Sequence, residues 1–174
     1  MELARAYHLF ARLPLHAPIR SGRDQDAYAM GLEHASTAEA NYRQLNEHRE
    51  LGRVWETMGR LELRRGDPDA AHKRLKDAVT LQRQLTDITG LARSSAALAE
   101  LFAVSGQMSE ALSLLADSIA LNHEKGSPIG LAFNRQTLSA LTASIPPNDS
   151  DKNLLTEQLS ALQQQLAQAE TTFG

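Results

Sequence analysis

The sequence predicts an all-helical solenoid of about four helical hairpins, and three observations carry that prediction. Residues recur at a spacing of 40: Leu51, Leu91 and Leu131; Met58, Leu98 and Leu138; Leu61, Leu101 and Leu141; Gly66 and Gly106; Ala71 and Ala111; Leu75 and Leu115; Leu81 and Leu121; Gly90 and Gly130. A fixed period of this size is a repeat signature, because each hairpin has an apolar face that only a neighbouring copy can bury. Apolar residues make up 42% of the chain and aromatics only 5%, and Ala and Leu dominate over Val and Ile, which favours helix over strand. Within each segment the apolar residues fall three and four apart, the spacing of one helical stripe.

The 174 residues predict one domain, divided into a degenerate first hairpin (1–49), two intact repeats (50–89 and 90–129) and a closing repeat (130–174). Eighteen basic and 21 acidic residues are dispersed along the chain, for a net charge of −3. No field is implied that would gather nucleic acid or a membrane surface. The absence of cysteine excludes a disulfide framework, thiolate zinc and a catalytic thiol, and fits a reducing cytoplasm. The start, Met1 to Tyr7, lacks a basic segment leading into an apolar run, and no stretch approaches the roughly 18 apolar residues of a membrane span. A soluble cytoplasmic protein is expected.

In chain order, Leu3, Ala6, Tyr7, Phe10 and Leu13 form the stripe of a first helix, which Pro14 and Pro18 should end. Ser21 to Asp24 offer caps for a second helix from about Asp24 to His48, with Ala27, Met30, Gly31, Ala35, Ala38 and Tyr42 on its inner side. A third helix is expected from about Leu51 to Arg65. Gly66-Asp67-Pro68 then reads as a helix-turn-helix signal, with Asp67 as N-cap and Pro68 at the first helical position, where a missing N–H costs nothing. The fourth helix should run from Pro68 to about Thr86, followed by a connector through Gly90. The next copy repeats this with helices from Leu91 to Val104 and Glu110 to Lys125 and a connector at Gly126-Ser127-Pro128. A seventh helix from Ile129 to Ser144 meets Ile145 to Ser150, a lengthened turn, and the last helix runs from about Asp151 to Ala169. Its residues Leu155, Leu159, Leu162 and Leu166 follow a heptad spacing. They either cap the solenoid, with Gln158, Gln163, Gln164, Gln165 and Gln168 as the polar outer face, or form the seam of a homodimer.

Trp55-x2-Met58-Gly59 followed by Ala71-x3-Leu75 and Ala78, and Leu98-Ala99-x2-Phe102 followed by Ala111-x3-Leu115, resemble the tetratricopeptide repeat family in an extended 40-residue variant. The resemblance implies a right-handed superhelical stack in which small residues at Gly59, Ala71, Ala99 and Ala111 let helices approach while Trp55, Phe102, Leu75 and Leu115 fill the space between hairpins. Glu62 stands where the pattern has an aromatic, and the closing repeat lacks its turn glycine. Extended repeats of this kind resemble those of signalling adaptors and of large bacterial transcription regulators.

In that family the first helix of each hairpin lines a concave groove. Carried over by position, the groove comprises Arg53, Glu56, Arg60 and Arg64, then Arg93 and Glu100, then Phe133 and Gln136. Arg53, Arg60 and Arg64 share one helical face. They are either a solvated surface or a mildly basic groove for an acidic segment, since guanidinium groups suit bidentate carboxylate contacts. The family's carboxylate clamp needs Lys and Asn at the Glu56 and Arg60 positions and is absent.

The six histidines are scattered without a metal-ligand spacing, and no nucleophile elbow or phosphate loop is present, so no metal, cofactor or catalytic residue is assigned and no enzyme is expected. The expected function is a non-catalytic module that binds a peptide or helix of another protein. The alternative is a regulatory or oligomerisation segment of a larger protein, contacting through its C-terminal helix.

Overall fold

The computed structural model describes residues 1–16, 24–144 and 152–172. Pro18, Ser21, the lengthened turn at 145–151 and Phe173 lie outside the described residues. Among these, every regular element is a helix: α1 (Glu2–His16), α2 (Asp24–Gln44), α3 (His48–Arg65), α4 (Pro68–Gln84), α5 (Ile88–Val104), α6 (Met108–Lys125), α7 (Pro128–Ser144) and α8 (Lys152–Thr171). The all-α prediction is met. By its contacts the chain groups into two compact units, Met1–Gly90 and Leu91–Gly174.

Helix boundaries follow from one turn used five times. Asn46, Gly66, Thr86, Gly106 and Gly126, each 20 residues after the last, have positive φ of 55°, 84°, 51°, 79° and 64°. At each, two backbone bonds close the preceding helix. The Gly66 N–H donates to Leu63 O (3.1 Å) and the Asp67 N–H to Glu62 O (3.0 Å), and the same pair recurs at Asn46 and Glu47, Thr86 and Asp87, Gly106 and Gln107, and Gly126 and Ser127. This is the Schellman closure, which satisfies carbonyls that a helix end leaves without partners. The segments expected as longer connectors, 86–90 and 126–128, are therefore the same tight turn as Gly66-Asp67-Pro68. Accordingly α3 begins at His48 and α5 at Ile88, each three residues before the sequence signal. Asp67 caps α4 as expected, its Oδ1 accepting from the Ala70 N–H at 3.0 Å.

Thr86 holds the left-handed conformation with a β-branched side chain, at φ 51°, where Cβ crowds the backbone. Replacing Thr86 by Gly should raise stability by about 1 kcal/mol, seen as a higher urea midpoint at unchanged slope, because relief of this strain exceeds the entropy that glycine adds to the unfolded chain.

In the first unit α1 packs on α2 and α3, α2 on α3, and α3 on α4. The buried stripe of α1 is Ala4, His8 and Ala11, whereas Leu3, Phe10 and Leu13, expected inside, are 62%, 50% and 57% exposed. The cause is a close helix approach: a Cβ added at Gly31 would lie 3.1 Å from Ala11 O and 3.2 Å from Leu61 Cδ1. Only small side chains fit such a contact, so α1 turns its alanines inward. Met30 is likewise outside, at 57% exposure. Pro14 is accommodated within α1, near its end, where the loss of one helical bond is tolerated. On the outer side of this core Glu39, 7% exposed, ties three helices together. It accepts from Trp55 Nε1 at 2.7 Å and pairs with Arg43 at 2.7 Å and Arg74 at 3.4 Å.

In the second unit Leu115, Ile119 and Leu131 are fully buried, and Leu155, Leu162 and Leu166 of α8 join the same core, with Leu159 packed against it. The heptad seam of the sequence is thus covered by α6 and α7 within the chain.

Candidate functional site

The first unit carries a cavity of about 410 Å³ lined by Arg5, His8, Leu9 and Arg12 of α1, Tyr42 of α2, and Glu50 and Arg53 of α3. Arg5, Leu9 and Arg12 share one face of α1 because they are spaced four and three. Glu50 and Arg53 are one turn apart on α3 and pair at 3.0 Å. The lining thus includes three arginines and Glu50, of which Arg53 pairs with Glu50.

The floor is set by hydrogen bonding. His8 Nε2 lies 2.9 Å from Thr57 Oγ1, and Thr57 Oγ1 in turn donates to Arg53 O at 3.0 Å. A hydroxyl has one proton, so the proton between His8 and Thr57 is the histidine's and Nε2 is the protonated ring nitrogen. This bond joins α1 to α3 across 49 residues and sets the His8 ring edge-on to Tyr42, with centroids 6.4 Å apart at 84°. Tyr42 is fully buried and its hydroxyl has no hydrogen-bond partner, a condition that costs about 1–3 kcal/mol. Burial, and next the Glu50 carboxylate, push its pKa above the ordinary tyrosine value, with a smaller push from Glu47, while Arg5 and Arg53 pull the other way. The hydroxyl therefore keeps its proton at neutral pH and is a donor in want of an acceptor.

Of the residues carried over from the repeat pattern, Arg53 lies in this cavity. Glu56 is 1% exposed, and Arg60 Nε pairs with it at 3.1 Å, so two of the expected groove positions are joined to each other. Arg64 is exposed at the end of α3. Arg93 and Glu100 are half-buried on α5, and on α7 Phe133 and Gln136 are exposed, all four in the second unit. Arg5, His8, Arg12, Tyr42 and Glu50 were not singled out for the groove. The four-and-three spacing of Arg5, Leu9 and Arg12 was visible, but that α1 would lie beside α3 was not.

The second unit has a cavity of about 300 Å³ between α6 and α8, lined by His123, Glu124, Gln165, Gln168 and Thr172 with Ile119, Ala120 and Ala169. Its lining holds no arginine or lysine. Among the described residues no three His, Asp or Glu side chains gather as a metal site, and no helix is long and apolar enough to cross a membrane. No protein-family model matches this sequence, and no curated protein matches it.

Proposed function

We propose that this chain is a non-catalytic interaction module of tetratricopeptide type, its hairpins stacked in a right-handed superhelix, which binds an acidic segment of another protein along the first helices of its repeats. The observation that carries this reading is the α1–α3 cavity, whose lining includes Arg5, Arg12 and Arg53. Support for the repeat type comes from the 20-residue turn period and from Gly59, where a Cβ would lie 2.5 Å from Leu75 Cγ, as close helix stacking requires. The absence of cysteine suits work in the cytoplasm.

Fluorescence anisotropy with a labelled peptide rich in Glu tests the reading. Saturable binding is expected to weaken with added salt and to fall about tenfold or more in the Arg53→Glu and Arg5→Glu variants, as lost charge-assisted contacts do. Binding unchanged in both variants would remove the cavity from the recognition surface.

A further inference from the structure

We infer that two copies of this chain pair through the outer face of α1, antiparallel about a twofold axis. The face follows from the division of α1 into two stripes. Ala4, His8 and Ala11 are buried, whereas Leu3, Phe10 and Leu13 on the opposite side are half or more exposed. With Ala6 between them, these outer residues are spaced three, four and three, as the a and d positions of a heptad are. Leu9 flanks the stripe and is exposed as well. Met30 of α2 extends it: His34, one turn after Met30, has its ring 5.8 Å from that of Phe10, and Met30 is also more than half exposed. Large apolar side chains gathered in this way, unlike single ones scattered over a surface, mark an interaction face.

Three observations select a second copy as the occupant of this face. The first is shape. When two such stripes run antiparallel with Leu3 opposite Leu13 of the second copy, Phe10 comes opposite Ala6, so the largest side chain is set against the smallest. A parallel pair would set Phe10 on Phe10 and Ala6 on Ala6, overfilled at one level and empty at another. The second is polarity. In the antiparallel register Glu2, in the first turn of α1, lies beside His16, in the last turn of the second copy, and the twofold axis repeats this acid–base pair at the other end of the seam. The third is area. Leu3, Leu9, Phe10, Leu13 and Met30 each leave on the order of 100 Å² uncovered, which gives about 500 Å² per copy and about 1,000 Å² for the pair, the size at which specific interfaces begin. Two heptads are too few to hold a free helix pair, but α1 is already fixed against α2 and α3, so pairing has no helix to order.

The test uses the full chain, whose lack of cysteine allows single thiols to be placed at will. Sedimentation velocity from about 1 to about 200 μM, a range that brackets a weak dimer of this size, is expected to show a monomer–dimer equilibrium. Phe10→Glu and Leu13→Glu should each raise its dissociation constant about tenfold or more by bringing a charge into the apolar seam. The circular dichroism of both variants should remain that of the folded chain, because both sites are half or more exposed in the single copy. Oxidation reads the register. A mixture of Leu3→Cys and Leu13→Cys chains should form a disulfide between the two, whereas Leu3→Cys alone should not, since its two thiols would lie at opposite ends of the seam, farther apart than a disulfide spans. A chain that stays monomeric over the whole range, or a dimer unmoved by both glutamate variants, would overturn the pairing, and Leu3→Cys chains that link to one another would overturn the antiparallel arrangement.

Discussion

Replacing Asn134 by Ala is expected to destabilise the second unit by about 2–4 kcal/mol, measured as the free energy of urea unfolding. Asn134 is 1% exposed and sits in the middle of a buried relay. Asn122 Nδ2 donates to Asn134 Oδ1 at 2.6 Å, Asn134 Nδ2 donates to Ser118 Oγ at 2.7 Å, and Ser118 Oγ donates to Ala92 O at 2.7 Å. The relay thus joins α7 to α6 and α6 to α5. Truncation at Asn134 strands a buried amide donor and removes a bond to Ser118, and each desolvated group left without a partner costs about 1–3 kcal/mol. Gly130 is part of the same device, since a Cβ there would overlap the Asn122 amide. The Asn122→Ala and Asn134→Ala double variant should lose clearly less than the sum of the single variants, because the second change removes a group the first had already stranded. Strict additivity would mean that the relay contributes no coupling. In the first unit the residues 80 before Asn122 and Asn134 are Tyr42 and Val54, and the Tyr42 hydroxyl there has no hydrogen-bond partner.

Gly59→Ala carries the next largest effect, a net loss of up to about 2 kcal/mol in the same unfolding measurement. The added Cβ would lie 2.5 Å from Leu75 Cγ and 3.2 Å from Ala71 O, and Leu75 is fully buried, so the α3–α4 contact must spread. Overpacking of this kind costs about 1–3 kcal/mol, while alanine returns about 1 kcal/mol of helix propensity; the steric term wins. The opposition of the two terms makes the sign testable. In a Leu75→Ala background the 2.5 Å clash is gone and the 3.2 Å contact with Ala71 O is what remains against the gain in propensity, so the same Gly59→Ala change should become neutral or stabilising. If it stays destabilising there, close packing against Leu75 is not the reason Gly59 is glycine.

The helices were legible because periodicity and capping are local. Asp67 and Pro68 mark the start of α4 through groups within three residues of one another, and the 40-residue spacing of Leu, Ala and Gly is written openly in the chain. The turns at Asn46 and Thr86 were less legible, since neither residue is the glycine that a left-handed closure favours: the second helix, expected to run to about His48, stops at Gln44, and the connector expected from Thr86 to Gly90 is the same turn. Core assignment failed where helices approach most closely. On α1 the large residues Leu3, Phe10 and Leu13 outweigh Ala4 and Ala11 in any hydrophobic pattern, yet contact with Gly31 admits only the alanines.

The candidate site divides along the same line. Sequence alone determined that the chain is helical, where most helices stop, that Gly59 and Ala71 mark a close contact, and that Arg53 belongs to a polar face. Tertiary structure decided that Arg60 pairs with Glu56, that the Leu155–Leu166 seam closes the second core from within, and that Arg5, Arg12, Tyr42 and Arg53 surround one cavity. The physical reason is range. Propensity, caps and turns act within about one helical turn and are fixed by neighbours in sequence. The cavity depends on α1 meeting α3 through a bond between His8 and Thr57, 49 residues apart, and a lining gathered by such an approach is not encoded in any single stretch of the chain.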